Sequence, residues 1–347
     1  MKNQVLPIPG LFNPNNAKWE YRPNLRNVFL AAQDWRQEHA VHASASAKTK
    51  IALMVIDTQK DFCFPEGTLY VGGRSGTGAI DDSIRTAEFI YRNLDIITST
   101  VFTMDTHFAF QIFFPSFWID AKTGLSPLPS ITVITAEQIR RGDYRPNPAL
   151  SWIANGNYTW LLKYVEHYVA ELERTGKYVL LLWPEHCLIG DEGHALVGIL
   201  NEARMFHSYA RFIQSEVQIK GGNPLTENYS IFRPEVLLAH DSNVVAQKNA
   251  MFTKQLLQND YVIIAGQAAS HCVKSSIDDF LEEILAKDPS LARKVYILED
   301  CMSSVVIPAA GLDFTPQAEE ALQKYRDAGM HVVKSVGPME NWPDMVL

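Results

Sequence analysis

From residue 51 onward, short apolar runs alternate with stretches of helical periodicity, and this alternation constrains the fold more than any other feature. Apolar runs lie near residues 51–57, 96–104, 178–183, 262–266, 295–299 and 331–335. Helical stretches lie near 79–94, 158–175, 195–215, 272–287 and 315–328. Because such alternation is typical of parallel strands covered by helices on both faces, the sequence predicts a three-layer α/β/α fold with a mostly parallel, roughly six-stranded sheet.

The first 48 residues show no strand pattern and carry several prolines, with one short helix expected near 27–39. We therefore predict an N-terminal extension over 1–48 and one domain over 49–347, with an insertion at about 108–177. The aromatic run at 108–118 within that insertion is interpreted either as a lid over a pocket or as a buried structural loop.

Composition excludes several classes of protein. A hydrophobic fraction of 47% in 347 residues is ample for a large core, and a formal net charge of −8 argues against nucleic acid or an anionic membrane as partner. The four cysteines lack CxxC spacing, which suits a reducing compartment. With no secretory leader pattern and no apolar run of membrane-span length, we expect a cytoplasmic protein.

One cysteine occupies a chemically favourable position. The apolar run 262–265 ends at Gly266, and a helical stretch begins near Cys272 after a short loop. The start of a helix favours an anion and so favours a thiolate nucleophile. The competing interpretation is a small buried cysteine that only packs.

Three other apolar runs also end in polar residues with useful chemistry. Asp57 follows the first run, Asp105 and His107 follow the second, and His186 follows the third. Ligands bind at the carboxyl edge of an open parallel sheet, where these ends meet. Packing alone does not require carboxylates and histidines there, so a functional site is predicted at this edge.

Six motifs, each placed at a strand end, together resemble the nicotinamidase branch of the isochorismatase-like cysteine hydrolases. They are Asp57-Thr-Gln-Lys-Asp61-Phe62, Asp105-Thr-His107, Trp183-Pro-Glu-His186-Cys187, Gly193, Lys220-Gly221 and Gly266-Gln-Ala268-Ala-Ser-His271-Cys272-Val273. The resemblance covers roughly residues 49–340 and implies the isochorismatase-like hydrolase fold.

The resemblance also implies catalytic roles for Asp57, Lys220 and Cys272. Cys272 would attack an amide carbonyl to form a thioester, Asp57 would act as the base, and Lys220 would stabilise the thiolate. A cis peptide is expected between Gln267 and Ala268, with the backbone N–H groups of Ala268 and Cys272 forming an oxyanion hole.

The metal ligands implied by the resemblance are Asp105, His107 and His186. Residues two apart on a strand share a face, so the first two can reach one ion, and three ligands with open positions describe a catalytic site. Zinc is the first expectation for this divalent ion, and iron or manganese also suits the ligands. The alternative is a hydrogen-bonded Asp–His pair with an unrelated core histidine.

The implied substrate is nicotinamide, hydrolysed to nicotinate and ammonia within NAD metabolism and pyridine nucleotide salvage. Phe62 and Trp183 would line a pocket for the flat ring or else pack in the core, and His271 would contact the substrate or turn outward. Relatives in this family often use exposed strand edges for assembly, so a homo-oligomer is also expected.

Two departures from the family pattern favour other substrates. Phe113 occupies the position at which some nicotinamidases carry a further histidine, and Gln267 replaces a common apolar residue. With the long insertion, they leave open a related cysteine hydrolase that acts on a different amide or a bulkier ring. A third hypothesis is a catalytically silent binding protein with the same fold.

Overall fold

A six-stranded parallel sheet forms the centre of the protein in a computed structural model, which describes residues 5–176 and 179–347. Its strands are β1 (Ile51–Ile56), β2 (Ser99–Asp105), β3 (Glu216–Lys220), β4 (Tyr261–Gly266), β5 (Val295–Leu298) and β6 (His331–Val333). They lie in the order β6-β5-β4-β1-β2-β3, and every neighbouring pair is parallel.

Helices flank this sheet and fill the connections between its strands. They are α1 (Leu25–Glu38), α2 (Lys60–Cys63), α3 (Gly78–Arg92), α4 (Ala136–Arg141), α5 (Tyr158–Thr175), α6 (Gly198–Arg211), α7 (Ala250–Leu257), α8 (Cys272–Lys287) and α9 (Thr315–Asp327). Three small antiparallel pairs lie outside the sheet, joining Trp118–Asp120 to Tyr144–Pro146, Val133–Ile134 to Leu180–Leu181, and Val306–Ile307 to Leu312–Asp313.

Two hydrophobic cores separate the sheet from its helices. Leu53 and Val55 of β1 pack with α1, α3 and α6 on one face. Met54 and Ile56 of the same strand pack with α7, α8 and α9 on the other. Because successive strand residues point to opposite faces, a strand buried on both faces must be apolar throughout, as Ile51–Ile56 is. The predicted three-layer α/β/α fold is confirmed.

The strand order places a crevice at the centre of the sheet. From β1 the chain moves outward to β2 and β3, then returns to lay β4 on the opposite side of β1. The connections that leave the carboxyl ends of β1 and β4 therefore run in opposite directions. Such a topological switch point is where open α/β sheets bind ligands.

The segment 178–187 does not contribute a strand to the central sheet, contrary to the sequence-based prediction. Of this segment, residue 178 lies outside the described part of the chain, and Leu180–Leu181 pairs with Val133–Ile134 instead. The edge position belongs to β3, whose exposed apolar side chains alternate with polar ones. The apolar run at 180–183 is buried in a third core, formed mainly by residues 112–182.

The aromatic run at 108–118 is mostly buried in that third core. Phe113, Phe114, Phe117 and Trp118 are at most 1% exposed, so this part of the run is structural. Phe108, in contrast, is 52% exposed. No helix in the described ranges is both long and apolar enough to span a membrane.

A buried histidine beneath the sheet makes the stability of the fold depend on pH. His207 of α6 is fully buried, its Nε2 lies 2.9 Å from the carbonyl oxygen of Ile97, and burial lowers its pKa to about 4. Between about pH 6.5 and pH 4, His207 is therefore protonated in the unfolded chain but largely neutral in the folded protein. We expect this residue to remove about 3 kcal/mol of unfolding free energy by pH 4.

Urea denaturation of the wild type and of His207→Gln over that pH range checks this. The glutamine amide can still donate a hydrogen bond but does not titrate, so the decline with falling pH should be shallower in the variant. Parallel pH dependences in the two proteins would contradict the assignment.

Candidate active site

Four strands of the sheet deliver charged or nucleophilic side chains to the switch point. Asp57 follows β1, Asp105 ends β2, Lys220 ends β3, and Cys272 begins α8 after β4. All four are 7% exposed or less. Residues far apart in sequence meet here because parallel strands end at the same edge of the sheet.

Lys220 is the centre of this cluster. Its Nζ lies 2.9 Å from Oδ2 of Asp57 and 3.1 Å from Oδ1 of Asp105, and it donates to the carbonyl oxygen of Asn228 at 2.8 Å. Burial alone would lower the pKa of this lysine, but the two carboxylates outweigh burial and hold the pKa well above its usual range. The ammonium ion is therefore a permanent charge.

Asp57 is a completely buried carboxyl group. Oδ1 accepts a hydrogen bond from the Thr103 hydroxyl at 2.5 Å, and its backbone turns sharply out of β1 with a φ of 45°. Burial raises the pKa of Asp57, while the charge of Lys220 opposes that rise. A carboxylate with a raised pKa is a stronger base than an exposed one.

Cys272 faces this pair from the first turn of α8. Its Sγ lies 3.7 Å from Nζ of Lys220, and it is 7% exposed. Burial raises the thiol pKa well above the usual value, and the opposing charge of Lys220 does not reverse this. The helix start favours a thiolate, but burial outweighs it and favours the protonated thiol, so the thiol pKa is not lowered as the sequence suggested.

The loop before Cys272 leaves two N–H groups available. The Gln267–Ala268 peptide is cis, as expected. Ala269 and Val273 donate their N–H groups to backbone carbonyls at 2.8 and 3.1 Å. Among the residues that the structure describes, no hydrogen bond uses the N–H of Ala268 or Cys272.

Asp105, His107 and His186 meet at one point beside Lys220. Nε2 of His107 is 3.0 Å from Oδ2 of Asp105, and Nε2 of His186 is 3.8 Å from the same oxygen. One ligand atom from each residue lies within 4.8 Å of the others, and all three side chains are buried. The structure thus brings the three predicted metal ligands together.

Backbone carbonyls orient both histidines. Nδ1 of His107 lies 3.0 Å from the carbonyl oxygen of Gly221, and Nδ1 of His186 lies 2.7 Å from that of Pro184. A proton on each Nδ1 leaves each Nε2 with a free lone pair, which is the tautomer a metal ion requires. In this tautomer the lone pair of His107 Nε2 faces Oδ2 of Asp105 at 3.0 Å, an arrangement that a bound cation would stabilise.

Gly221 allows the backbone to approach these ligands. With a φ of 90°, it occupies a conformation that side chains disfavour, and a Cβ atom there would lie 2.5 Å from Oδ1 of Asp105. Phe113 packs against the ring of His107 with centroids 4.9 Å apart. Phe113, at the position that departs from the family pattern, therefore places an apolar ring beside His107.

A pocket of about 420 Å³ opens over Cys272. The three predicted pocket residues, Phe62, Trp183 and His271, all line it. Trp183 donates its indole N–H to the Tyr229 hydroxyl at 2.8 Å. Burial lowers the pKa of His271 to about 4, so its ring is neutral at physiological pH. The walls are mainly aromatic and apolar, which suits a flat uncharged ring.

Sequence reasoning missed Gln59, although it lies inside a motif that was recognised. Its side-chain amide donates to the carbonyl oxygens of Asp105 at 2.7 Å and His194 at 2.9 Å, and its Oε1 accepts the N–H of Asp105 at 2.7 Å. Gln59 thereby fixes the backbone of a metal ligand.

Asp61 plays a similar part for the segment that carries His186. Its Oδ2 accepts the backbone N–H of Cys187 at 2.6 Å, and its Oδ1 accepts that of Thr68 at 3.1 Å. A Cβ atom on Gly193 would lie 2.2 Å from this carboxylate, so the glycine is needed for close packing.

Glu227 was also missed, because it belongs to no motif and follows no strand. It is 4% exposed and lines the pocket, and Oε1 accepts the N–H of Asn228 at 2.8 Å. Burial and the nearby Asp105 carboxylate raise its pKa well above the usual value. A neutral carboxyl group of this kind can both donate and accept hydrogen bonds.

No family model and no curated protein matches the chain, but solved structures do. A yeast nicotinamidase, Pnc1p with the inhibitor nicotinaldehyde, is 20% identical with a TM-score of 0.49, over 82% of this chain and 99% of its own. An Acinetobacter baumanii nicotinamidase/pyrazinamidase is 18% identical with a TM-score of 0.48, over 84% and 98%. A zinc complex of Pyrococcus horikoshii pyrazinamidase is 18% identical with a TM-score of 0.43, over 82% and 99%.

The similar solved structures also include an isochorismatase-like hydrolase, at 15% identity and a TM-score of 0.39. These four structures are at most 20% identical to the chain.

Proposed function

We propose that the protein is a metal-dependent cysteine amidohydrolase that converts nicotinamide to nicotinate and ammonia. The observation that carries this proposal is the position of Lys220. Its Nζ contacts the carboxylates of Asp57 and Asp105 and lies 3.7 Å from the sulfur of Cys272. The proposed nucleophile, base and metal ligands therefore lie together, and Cys272, Asp105 and His186 among them line the pocket.

Acylation begins with transfer of the thiol proton from Cys272 to Asp57. The sulfur attacks the amide carbon, and the carbonyl oxygen becomes negatively charged. The backbone N–H groups of Ala268 and Cys272 bind this oxygen, a contribution of about 3 kcal/mol per donor in other enzymes. Asp57 then returns its proton to the amide nitrogen, the C–N bond breaks, and ammonia leaves a thioester.

Hydrolysis of the thioester uses the same base. Asp57 takes a proton from a water molecule, and the hydroxide adds to the acyl carbon. The C–S bond then breaks, and Asp57 returns the proton to the sulfur, which releases the carboxylic acid and restores the thiol. Lys220 stays charged throughout and stabilises the developing thiolate and the ionised base. The raised pKa of Cys272 suits a thiol that loses its proton only as the substrate arrives.

Asp105, His107 and His186 would hold a divalent metal ion, with zinc as the first candidate. These three residues would thereby provide a Lewis-acid site toward the ring nitrogen of a pyridine carboxamide, which would help to orient the ring. With a proton on each Nδ1, the Nε2 atoms of both histidines would face Asp105 as free donors, so the set fits such an ion while the carbonyl contacts are kept.

Both residues at which the sequence departs from the family pattern have side-chain partners within the protein. Gln267 lines the pocket, and its side-chain amide donates to Oδ2 of Asp82 at 2.8 Å and accepts from the N–H of Ser303 at 3.2 Å. Phe113 is buried and packs against the ring of His107.

His107→Ala tests the metal part of the proposal. We expect the variant to lose bound metal and to lose about 100-fold in kcat/KM for nicotinamide. Its activity on benzamide, which lacks the ring nitrogen, should change much less. Metal content by mass spectrometry and ammonia release with the two amides give the result.

His167→Ala is the control, because His167 binds the carbonyl oxygen of Leu238 at 3.0 Å outside the pocket. It should keep both its metal and its preference for nicotinamide. If His107→Ala retained one tightly bound metal per chain, His107 would not be a ligand.

We propose further that residues 1–48 are an extension to a hydrolase domain at 49–347, with an insertion at about 108–177. The substrate would be a small uncharged amide, and the role would lie in NAD metabolism in the cytoplasm. Assembly into a homo-oligomer is part of the same proposal, since Ile219 of the edge strand β3 is 62% exposed.

A further inference from the structure

Lys60 is a buried lysine that joins the N-terminal part of the chain to the active-site loops. It is 3% exposed and lies between Gln59 and Asp61, which hold the two metal-ligand segments. Its Nζ donates to the carbonyl oxygen of Trp19 at 2.5 Å and to Oε1 of Glu192 at 2.8 Å. The same atom lies 5.2 Å from the centre of the Trp19 ring.

Glu192 connects this lysine to the segment that carries His186. It begins the turn Glu192–His194, six residues after the ligand, and Arg22 of the N-terminal segment contacts the same oxygen at 3.0 Å. Hydrogen bonds to Lys60 and Arg22 lower the pKa of Glu192 to about 2, so it is ionised at any physiological pH.

The backbone of Lys60 reinforces the connection. Its N–H donates to the carbonyl oxygen of Ala195 at 2.9 Å, immediately after the Glu192 turn. The histidine in that turn, His194, places its carbonyl on Gln59 and its Nε2 at 2.8 Å from the Thr106 hydroxyl, between the ligands Asp105 and His107. The turn therefore contacts the segment of Asp105 and His107, and along the chain it follows the segment that carries His186.

A buried ammonium ion is stable only when its partners are in place. One partner of Lys60, the Trp19 carbonyl, comes from the N-terminal segment, and the other, the Glu192 carboxylate, comes from the ligand segment. Loss of either partner would leave the enclosed ammonium ion less well compensated. Positions of the two segments are thus coupled through one charge.

We propose that the N-terminal segment is a strap that holds the His186 segment in its metal-binding position, with Lys60 and Trp19 as positioning residues. The inference rests on the metal site of the proposed function. Groups that support metal ligands from behind typically change metal affinity 10- to 100-fold when they are altered. Weakening the strap should therefore weaken metal binding although no ligand is touched.

Zinc affinity of Lys60→Met and Trp19→Ala, measured by competition with a chromophoric chelator, tests the strap. Methionine keeps the packing of the lysine stem without its charge, and alanine removes the ring above the ammonium ion. We expect zinc to bind at least 10-fold more weakly in both. The visible spectrum of the cobalt-loaded variants should also shift, because His186 is less firmly placed.

Glu192→Gln is the milder variant if either of these folds poorly, and it should weaken zinc in the same direction. Lys248→Met is the matched control, because Lys248 pairs with Glu283 at 2.9 Å on the surface. Its zinc affinity should equal that of the wild type.

Unchanged zinc affinity and cobalt spectra in the strap variants would overturn the inference, even if their thermal stability fell. The metal site would survive that result, provided that the wild type binds one zinc ion that His107→Ala loses. A wild-type protein that binds no zinc at these residues would remove both the metal site and the strap.

Discussion

Cys272→Ala should lower kcat for amide hydrolysis by about 10,000-fold or more, because Cys272 is the one thiol among the described residues that line the pocket. Its side chain is almost fully enclosed, but it contributes only one sulfur atom to the core, so the folded state should survive the change. Ammonia release at saturating nicotinamide, together with circular dichroism and thermal unfolding, separates loss of chemistry from loss of structure.

Cys301→Ala is the matched control for this prediction. Cys301 is also buried, burial raises its thiol pKa to about 12, and its Sγ lies 3.9 Å from Oδ1 of Asp300 rather than beside Lys220. This variant should keep its turnover while losing some stability. Comparable activity in the two alanine variants would show that Cys272 is not the nucleophile.

Lys220→Met should damage both activity and stability. It leaves the Asp57 and Asp105 carboxylates buried without their shared cation, and uncompensated buried charges of this kind cost about 3–5 kcal/mol. Both carboxyl groups should then take up protons at a higher pH, so Asp57 is no longer a base. We expect kcat to fall at least 1,000-fold, since the base and the thiolate are lost together.

The pH dependence of this variant follows from the same charges. Loss of the lysine raises the folded-state pKa of each carboxyl group, so the stability deficit should be small in acid and should grow as pH rises. Urea titrations at pH 5 and pH 8 measure the difference. Lys248→Met, which breaks only an exposed ion pair, should differ from the wild type by less than about 1 kcal/mol at either pH. An equal deficit at both pH values would argue against the buried carboxylate pair.

Much of the fold could be predicted because a parallel strand that is buried on both faces is a continuous run of apolar residues. The uninterrupted apolar runs of β1 and β4, each followed by a helical stretch, identify the sheet and its two covering layers. Placing Asp57, Asp105 and Cys272 at one edge then needs only the rule that parallel strands end together.

The membership of the outer strand could not be predicted in this way. An apolar run reports burial, and Leu180–Leu181 is buried in the core of residues 112–182 rather than in the sheet. The true edge strand, Glu216–Lys220, exposes Val217 and Ile219 and alternates like a surface strand. Only tertiary packing distinguishes the two.

The sequence also could not predict contacts between distant segments, or whether burial or nearby charge decides the pKa of a side chain. No periodicity relates Trp19 to Lys60 or Lys60 to Glu192, which are 41 and 132 positions apart. The position of Cys272 at a helix start suggested a thiolate, but the magnitude of burial decides its pKa in the opposite direction.

The decisive experiment for the proposed function is ammonia release from nicotinamide by the purified protein, as isolated, after chelation and after return of zinc. We predict turnover that is lost on chelation and restored by the metal, with none in Cys272→Ala. A zinc-loaded wild-type protein that releases no ammonia from nicotinamide, while its Cys272 still reacts with a thiol reagent at alkaline pH, would contradict the proposed function.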